Sequence, residues 1–149
     1  MNIKYLMIKT INLCTLMFLS VGFTHAVTDT WLPNDNTVID FATGLIWQRQ
    51  DDGVVRTYAE AIVYCESLSL DNSNDWRLPY IKELVSILDH RRDQPAIDRT
   101  AFIISEPTSR YWTTSSNASN LNDAWYVLFG AGQVVSDSKL ETVYVRCVR

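Results

Sequence analysis

Residues 57–68 read TYAEAIVYCESL, and this stretch carries the clearest secondary-structure signal in the chain. Thr57 and Glu60 have the spacing of a capping box, in which two residues satisfy each other's backbone N–H groups at a helix start. Apolar residues then recur at helical spacing through Cys65. The stretch therefore predicts a helix that turns Cys65 toward the protein interior.

A β-hairpin is predicted before this helix. Residues 37–40 and 45–48 are short apolar runs, and they flank residues 41–44, which contain a glycine. Two such runs around a glycine-containing turn are typical of paired antiparallel strands. Residues 51–53 (DDG) predict a further turn between the hairpin and the helix.

A second helix is predicted after a polar loop at residues 71–75. Pro79 suits a helix start, and apolar residues follow it in an i, i+3, i+4, i+7 pattern from Ile81 to Leu88. Residues 89–110 are polar and contain prolines, which predicts a long connection with at most one short turn.

The last third of the chain is predicted to form strands. Its β-branched and aromatic residues concentrate in residues 111–115, 124–129, 133–135 and 143–149. In the final segment, alternation places the valines at 143 and 145 with Cys147 on one face, and Tyr144, Arg146 and Val148 on the other. A hairpin, two helices and several short antiparallel strands together predict a single α+β domain.

The amino terminus has the order of a secretory signal. Lys4 and Lys9 precede an apolar run at residues 11–23, and small Ala26 closes it. The alternative is a membrane anchor, but the run is shorter than the roughly 20 apolar residues of a span. The expected organisation is a signal peptide at residues 1–26, a polar leader at 27–36 and the domain at 37–149.

The predicted mature chain is acidic and has no further membrane span. The signal carries two of the 13 Lys and Arg residues and none of the 17 Asp and Glu residues. Mature net charge is therefore more negative than the −4 of the whole chain. An acidic chain without a basic cluster argues against nucleic acid as a partner.

Two cysteines remain after removal of the signal, because Cys14 lies within it. Export takes the chain into an oxidising compartment, so Cys65 and Cys147 are predicted to form a disulfide. The alternative is a pair of free, reactive thiols.

Several motifs in fixed order resemble one bacterial family. They are TGLIWQ at 43–48, Tyr64-Cys65, DWRLP at 75–79, Glu83-Leu84, Tyr111-Trp112, AWYV at 124–127 and VRCVR at 145–149. The set resembles the bacterial domain named for the C-terminal domain of the Legionella collagen-like protein, from about residue 37 to the end. One departure is Tyr80, which stands where the family usually has a polar helix cap.

The resemblance carries implications for fold and function. It implies a C-type-lectin-like fold, related also to formylglycine-generating, sulfatase-modifying proteins. It further implies an exported, often surface-associated protein, since some members sit at the tips of adhesins that bind sulfated polysaccharides. We therefore expect carbohydrate binding or adhesion in the bacterial cell envelope.

Residues suited to catalysis or metal binding are few. His90 is the one histidine of the predicted mature chain, so no cluster of histidines is available to bind a metal. No catalytic residue is assigned. Residues 71–75 (DNSND) space oxygen side chains as calcium loops do, but they lack the Gly and distal Glu of an EF-hand. We read them as a solvated turn, so no cofactor is predicted. The alternative is a calcium ion elsewhere in the fold, for which no specific motif is present.

Aromatic residues are assigned to packing rather than to sugar stacking. Four of the five tryptophans lie beside apolar neighbours within the ordered motifs: Trp47, Trp76, Trp112 and Trp125. Trp31 lies outside these motifs and is expected to be exposed.

Four arginines on the long connection are the candidate ligand-binding residues: Arg91, Arg92, Arg99 and Arg110. Arginine pairs well with planar carboxylate and with sulfate, and binding residues are often on loops. The alternative is a solvated charged loop balanced by its aspartates.

These observations favour a non-enzymatic, exported binding module for extracellular polysaccharide, which could be anionic. The alternatives are an assembly component of a surface appendage, with an envelope protein as partner, or an enzyme with formylglycine-generating-like chemistry. The expected location is the periplasm, the cell surface or the medium.

Overall fold

The first three strands form one antiparallel sheet. The computed structural model describes residues 30–149, so the predicted signal peptide and the first residues of the leader lie outside it. Strands β1 (Trp31–Pro33), β2 (Thr37–Asp40) and β3 (Ile46–Gln48) pair in that order. The predicted hairpin is β2–β3, with Val38 opposite Trp47.

The middle of the predicted loose leader, residues 27–36, forms strand β1. Trp31 pairs with Asp40 and Leu32 with Ile39, so the sheet begins before the predicted domain start. Trp31 is also half-buried rather than exposed, and its ring packs edge-on against Phe102 with 5.2 Å between centroids. The sequence hid this strand because its three residues have no apolar alternation of their own.

Two helices follow, as predicted. Helix α1 spans Tyr58–Ser67 and α2 spans Ile81–Ser86. The Glu60 carboxylate accepts hydrogen bonds from the Thr57 backbone N–H at 2.9 Å and from its hydroxyl at 2.7 Å. Within residues 30–149, neither helix is long and apolar enough to cross a membrane.

The second sheet is antiparallel and continuous in sequence. It consists of β4 (Arg110–Asn117), β5 (Asn120–Leu128) and β6 (Gln133–Ser138), paired in chain order. Three of the four predicted segments of the last third are therefore strands. With two helices and two three-stranded sheets in residues 30–149, the fold is a small α+β domain.

The prediction of a regular strand at residues 143–149 is wrong. This segment makes only isolated bridges, because it passes between elements that lie on different sides of it. Val143 bridges to Arg56, Tyr144 to Tyr111, and Val148 to both Trp47 and Arg77. The predicted two faces are present, however, since Val143, Val145 and Cys147 pack in one core cluster while Tyr144 and Val148 pack in the other.

The predicted disulfide is confirmed, and it joins α1 to this C-terminal segment. Cys65 and Cys147 lie 5.5 Å apart at their Cα atoms and have no exposed surface. Around the bridge packs one core cluster, centred on Trp112, Trp76 and Val145. A second cluster is centred on Trp47, Phe102 and Tyr111. Three of the four motif tryptophans are thus core residues, while Trp125 is half-buried.

The long connection between α2 and β4 contains no helix or strand, although the structure describes all of it. It nevertheless supplies core side chains, since Ile97, Ala101 and Phe102 are buried. These residues anchor the connection at its middle, and its first turn stays at the surface beside α2.

Candidate ligand-binding cleft

An open cleft of about 570 Å³ lies between the β2–β3 turn, the end of α2 and the start of the long connection. Polar side chains dominate its lining, which includes Thr30, Trp31, Asp40, Thr43, Ser86, Asp89, His90, Arg91, Arg92 and Asp98. The volume falls within the range of small-ligand sites in proteins. Its aromatic side is supplied by Trp31, which Phe102 holds in place.

The wall on the hairpin side is a fixed turn. Asp40 is buried and accepts hydrogen bonds from the Ala42 backbone N–H at 2.8 Å and from the Thr43 hydroxyl at 2.5 Å. Gly44 then has φ +76°, a left-handed conformation that glycine adopts without strain. The turn therefore presents Thr43 to the cleft on a rigid backbone.

The opposite wall is organised by Asp89. Its backbone N–H donates to the carbonyl of Ala96 at 3.0 Å, and its carboxylate accepts the backbone N–H of Arg91 at 3.1 Å. An aspartate that accepts the N–H two residues ahead stabilises a tight turn. Arg91 and Arg92 consequently follow in a defined conformation directly after α2.

The same carboxylate orients both arginines. Arg91 donates from Nε to Oδ1 of Asp89 at 2.9 Å and from Nη2 to Oδ2 at 3.2 Å. Arg92 donates from Nε to Asp89 at 3.0 Å and from Nη2 to Asp98 at 3.0 Å. The hydrogen bonds from Arg91, followed by that from Arg92, hold the pKa of Asp89 far below its usual range. The carboxylate stays ionised at any physiological pH, so this orientation persists.

Both guanidinium groups keep donors for a ligand. The Arg91 side chain is 91% exposed and that of Arg92 is 43% exposed. Arginine carries five N–H donors. Among the described residues, the Nη1 groups of Arg91 and Arg92 have no hydrogen-bond partner. The arrangement can therefore accept an oxyanion or a polyhydroxylated group without breaking its internal ion pairs.

Residues 36–149 match the family described as the Lcl C-terminal domain. The chain belongs to this family. Membership confirms the resemblance seen in the ordered motifs, and with the disulfide it is consistent with an extracellular or surface domain. No curated protein matches the chain.

The four candidate arginines of this Lcl C-terminal domain do not form one site. Arg91 and Arg92 line the cleft together, whereas Arg99 is exposed outside it. Arg110 begins β4 and lines a separate pocket of about 300 Å³, with its guanidinium 5.5 Å from the ring centroid of Tyr126. The structure thus places two of the four in the cleft between the β2–β3 turn and α2.

A fifth arginine, Arg146, has a structural position that the sequence did not predict. Its side chain is fully buried and donates to the carbonyls of Gln48, Arg49 and Ile103 at 2.6, 2.6 and 2.7 Å. Asp51 lies 3.4 Å away as its counterion. A charged residue among valines in the last segment was the available signal, but three of its partners are backbone carbonyls, which carry no sequence signature.

The two cysteines of residues 30–149 are committed to the disulfide. Cys65 and Cys147 are joined and buried, so neither is available as a thiol. Residues 30–149 contain no group of three His, Cys, Asp or Glu side chains placed to hold a metal ion. In the DNSND loop, Asp71 instead accepts hydrogen bonds from Asn36 at 2.8 Å and Thr37 at 3.0 Å.

Proposed function

We propose that this Lcl C-terminal domain is an exported, non-enzymatic binding or adhesion module that takes up extracellular polysaccharide, including anionic chains, in the cleft beside Arg91 and Arg92. In this proposal residues 1–26 direct export and are then removed. The protein works in the periplasm, at the cell surface or outside the cell, where an oxidising environment maintains the disulfide.

The observation that carries the proposal is the pair of arginines held in place by Asp89. A binding site gains affinity when its groups are ordered before the ligand arrives, because less conformational freedom is lost on binding. Here three ion pairs hold the guanidinium groups, while their Nη1 donors have no partner among the described residues. The cleft is therefore preorganised for a ligand rich in oxygen acceptors.

Polysaccharides supply such acceptors repeatedly. A sulfate or carboxylate substituent can accept two parallel N–H donors from one guanidinium group. The aspartates of the cleft offset much of its positive charge, so attraction to a single anionic group is modest. A chain with many substituents compensates, since each binding event raises the local concentration of the next group.

A glycan array tests this proposal directly. Purified, oxidised protein is applied to neutral and sulfated glycans at low and at raised salt, beside the Arg91→Ala/Arg92→Ala double variant. Arg99→Ala is the matched control, because Arg99 is an exposed arginine of the same connection that does not line the cleft.

We expect selective binding to sulfated glycans, weakened by salt because ions screen exposed charges. The double variant should lose this binding and the Arg99→Ala control should keep it. A blank array from folded, disulfide-intact protein would contradict the polysaccharide proposal.

A second candidate function, assembly with an envelope or appendage protein, is favoured by one apolar surface. Val63 on α1 is 62% exposed, and with Ala59 and Tyr64 it lines a shallow apolar pocket of about 410 Å³. Exposed apolar patches often mark protein contacts. If the array is blank, Val63→Asp should abolish co-purification of a specific envelope protein, while Arg91→Ala should leave it unchanged.

A further inference from the structure

The cleft has a neighbouring depression at the β2–β3 turn. A second, shallower pocket of about 340 Å³ is lined by Thr43, Leu45, Lys82, Glu83 and Ser86. Thr43 and Ser86 also line the main cleft. Because the two depressions share both of these residues, they adjoin each other beside α2, and we call the two together the groove.

A cation stands at each end of this groove. Lys82 and Ser86 are four residues apart on α2, which places them on one face of the helix about 6 Å apart along its axis. Arg91 lies beyond the end of the helix on the main-cleft side. The groove thus runs from Lys82, past Thr43 and Ser86, to the arginine pair.

Lys82 is the cationic side chain of the shallow pocket that has no ion-pair partner among the described residues. It is exposed, and it makes no hydrogen bond or ion pair with any residue that the structure describes. Its neighbour Glu83 is already engaged, since both of its carboxylate oxygens accept hydrogen bonds from Arg77 at 2.7 Å. Glu83 also accepts the Tyr80 N–H at 2.8 Å. An anionic group in the shallow pocket would therefore meet a free ammonium group beside a carboxylate already neutralised by arginine.

We propose that the groove binds an extended anionic polysaccharide along its length, with Lys82 as a second cationic subsite distinct from the Arg91–Arg92 pair. This inference rests on the proposed function and specifies the ligand further. It selects a run of several sugars with repeated negative substituents over a single terminal sugar. The rigid Asp40–Thr43 turn, which lies between the subsites, fixes their spacing.

Titration calorimetry with dextran sulfate oligosaccharides of increasing length tests this inference. The proteins compared are wild type, Lys82→Ala, Arg91→Ala and the Arg99→Ala control. Lys82 and Arg91 are both exposed, so their removal should leave the fold intact, and circular dichroism verifies it.

We expect wild-type affinity to rise with oligosaccharide length until both subsites are filled. Lys82→Ala should reduce affinity for long oligosaccharides about two- to fivefold, the range that an exposed ion pair contributes, and leave short ones unchanged. Arg91→Ala should weaken the binding of short and long oligosaccharides alike. Arg99→Ala should leave the binding of both unchanged.

Two results would overturn the inference, and they are distinguishable from each other. If Lys82→Ala binds long oligosaccharides as wild type does, while Arg91→Ala weakens them, the extended groove is wrong and the polysaccharide function stands. If wild-type protein binds neither short nor long sulfated chains, the proposed function fails and the inference fails with it.

Discussion

Arg146 places a full positive charge in the interior, and three backbone carbonyls together with Asp51 compensate it. Two of those carbonyls, from Arg49 and Ile103, lie outside the regular strands, and the guanidinium group donates to both. Replacing Arg146 with methionine keeps much of the volume but leaves the Asp51 carboxylate buried without its counterion. Such a loss costs about 3–5 kcal/mol.

We predict that Arg146→Met lowers the free energy of unfolding by about that amount, as measured by urea denaturation. The control, Arg99→Ala, removes an exposed arginine and should change it by less than about 0.5 kcal/mol. Equal stability of the two variants would show that the buried network contributes nothing.

Tyr111 is the second residue of this network that gives a prediction. Its hydroxyl donates to Asp51 at 2.6 Å, and burial, with a further contribution from the Asp51 charge, raises its pKa well above the ordinary value. The folded-state pKa thus exceeds the unfolded-state value near 10. The resulting stability is fully present below about pH 10 and is lost as pH rises toward the folded-state pKa.

Wild-type unfolding free energy should therefore fall as the pH rises above about 10, and that of Tyr111→Phe should fall less steeply. Guanidinium unfolding at several pH values measures both slopes. Tyr64, whose pKa burial also raises, accounts for part of the slope that remains in the variant. If the unfolding free energies of wild type and Tyr111→Phe fell equally steeply with pH, Tyr111 would not be the source of this pH dependence.

At the scale of elements, α1 depends on its amino-terminal cap. Thr57 and Glu60 form the predicted capping box, and the hydrogen bonds from Thr57 lower the pKa of Glu60. Thr57→Ala should cost about 1 kcal/mol, the typical loss at such a position. Thermal unfolding followed by circular dichroism checks this, with Thr142→Ala as an exposed threonine control. No difference between these two variants would mean that tertiary contacts alone hold the helix start.

The elements that could be predicted are those with a local signal. The capping box specified α1, the glycine-containing turn specified the β2–β3 hairpin, and β-branched runs specified most of β4 to β6. Strand β1 was missed because its three residues have no strand pattern of their own, and they form a strand only by pairing with β2. Residues 143–149 were predicted as a strand from alternation, but the segment bridges to Arg56, Tyr111, Trp47 and Arg77 in turn and forms no continuous ladder with one partner.

The candidate site was predictable only in part, for the same reason. Arg91 and Arg92 could be picked out as adjacent cations on a loop. The pairing of Arg92 with Asp98 and the position of both arginines in one cleft with Thr43 depend on how the connection folds back on the first sheet. Lys82 carried no signal at all, since a lysine on a short helix usually lies on a solvated face.

At the scale of the whole molecule, the disulfide ties α1 to the last segment across a sequence separation of 82 residues. Closing so long a loop in the unfolded chain stabilises the fold by roughly 4–5 kcal/mol in the chain-entropy account. We predict that the Cys65→Ser/Cys147→Ser variant loses about this much unfolding free energy. Wild-type protein unfolded under reducing conditions should match it. A loss below about 1 kcal/mol would contradict the entropic estimate.

The central claim is that the groove beside Arg91 and Arg92 binds polysaccharide, and nuclear magnetic resonance mapping tests it most directly. Isotope-labelled, oxidised protein is titrated with a sulfated oligosaccharide, and both backbone amides and arginine Nε–H signals are followed. We predict that the largest shifts fall at Thr43, Ser86, Arg91 and Arg92, with those of Arg99 and Arg110 unchanged. Shifts centred on Arg110 or on α1, or no shifts at all, would contradict the claim.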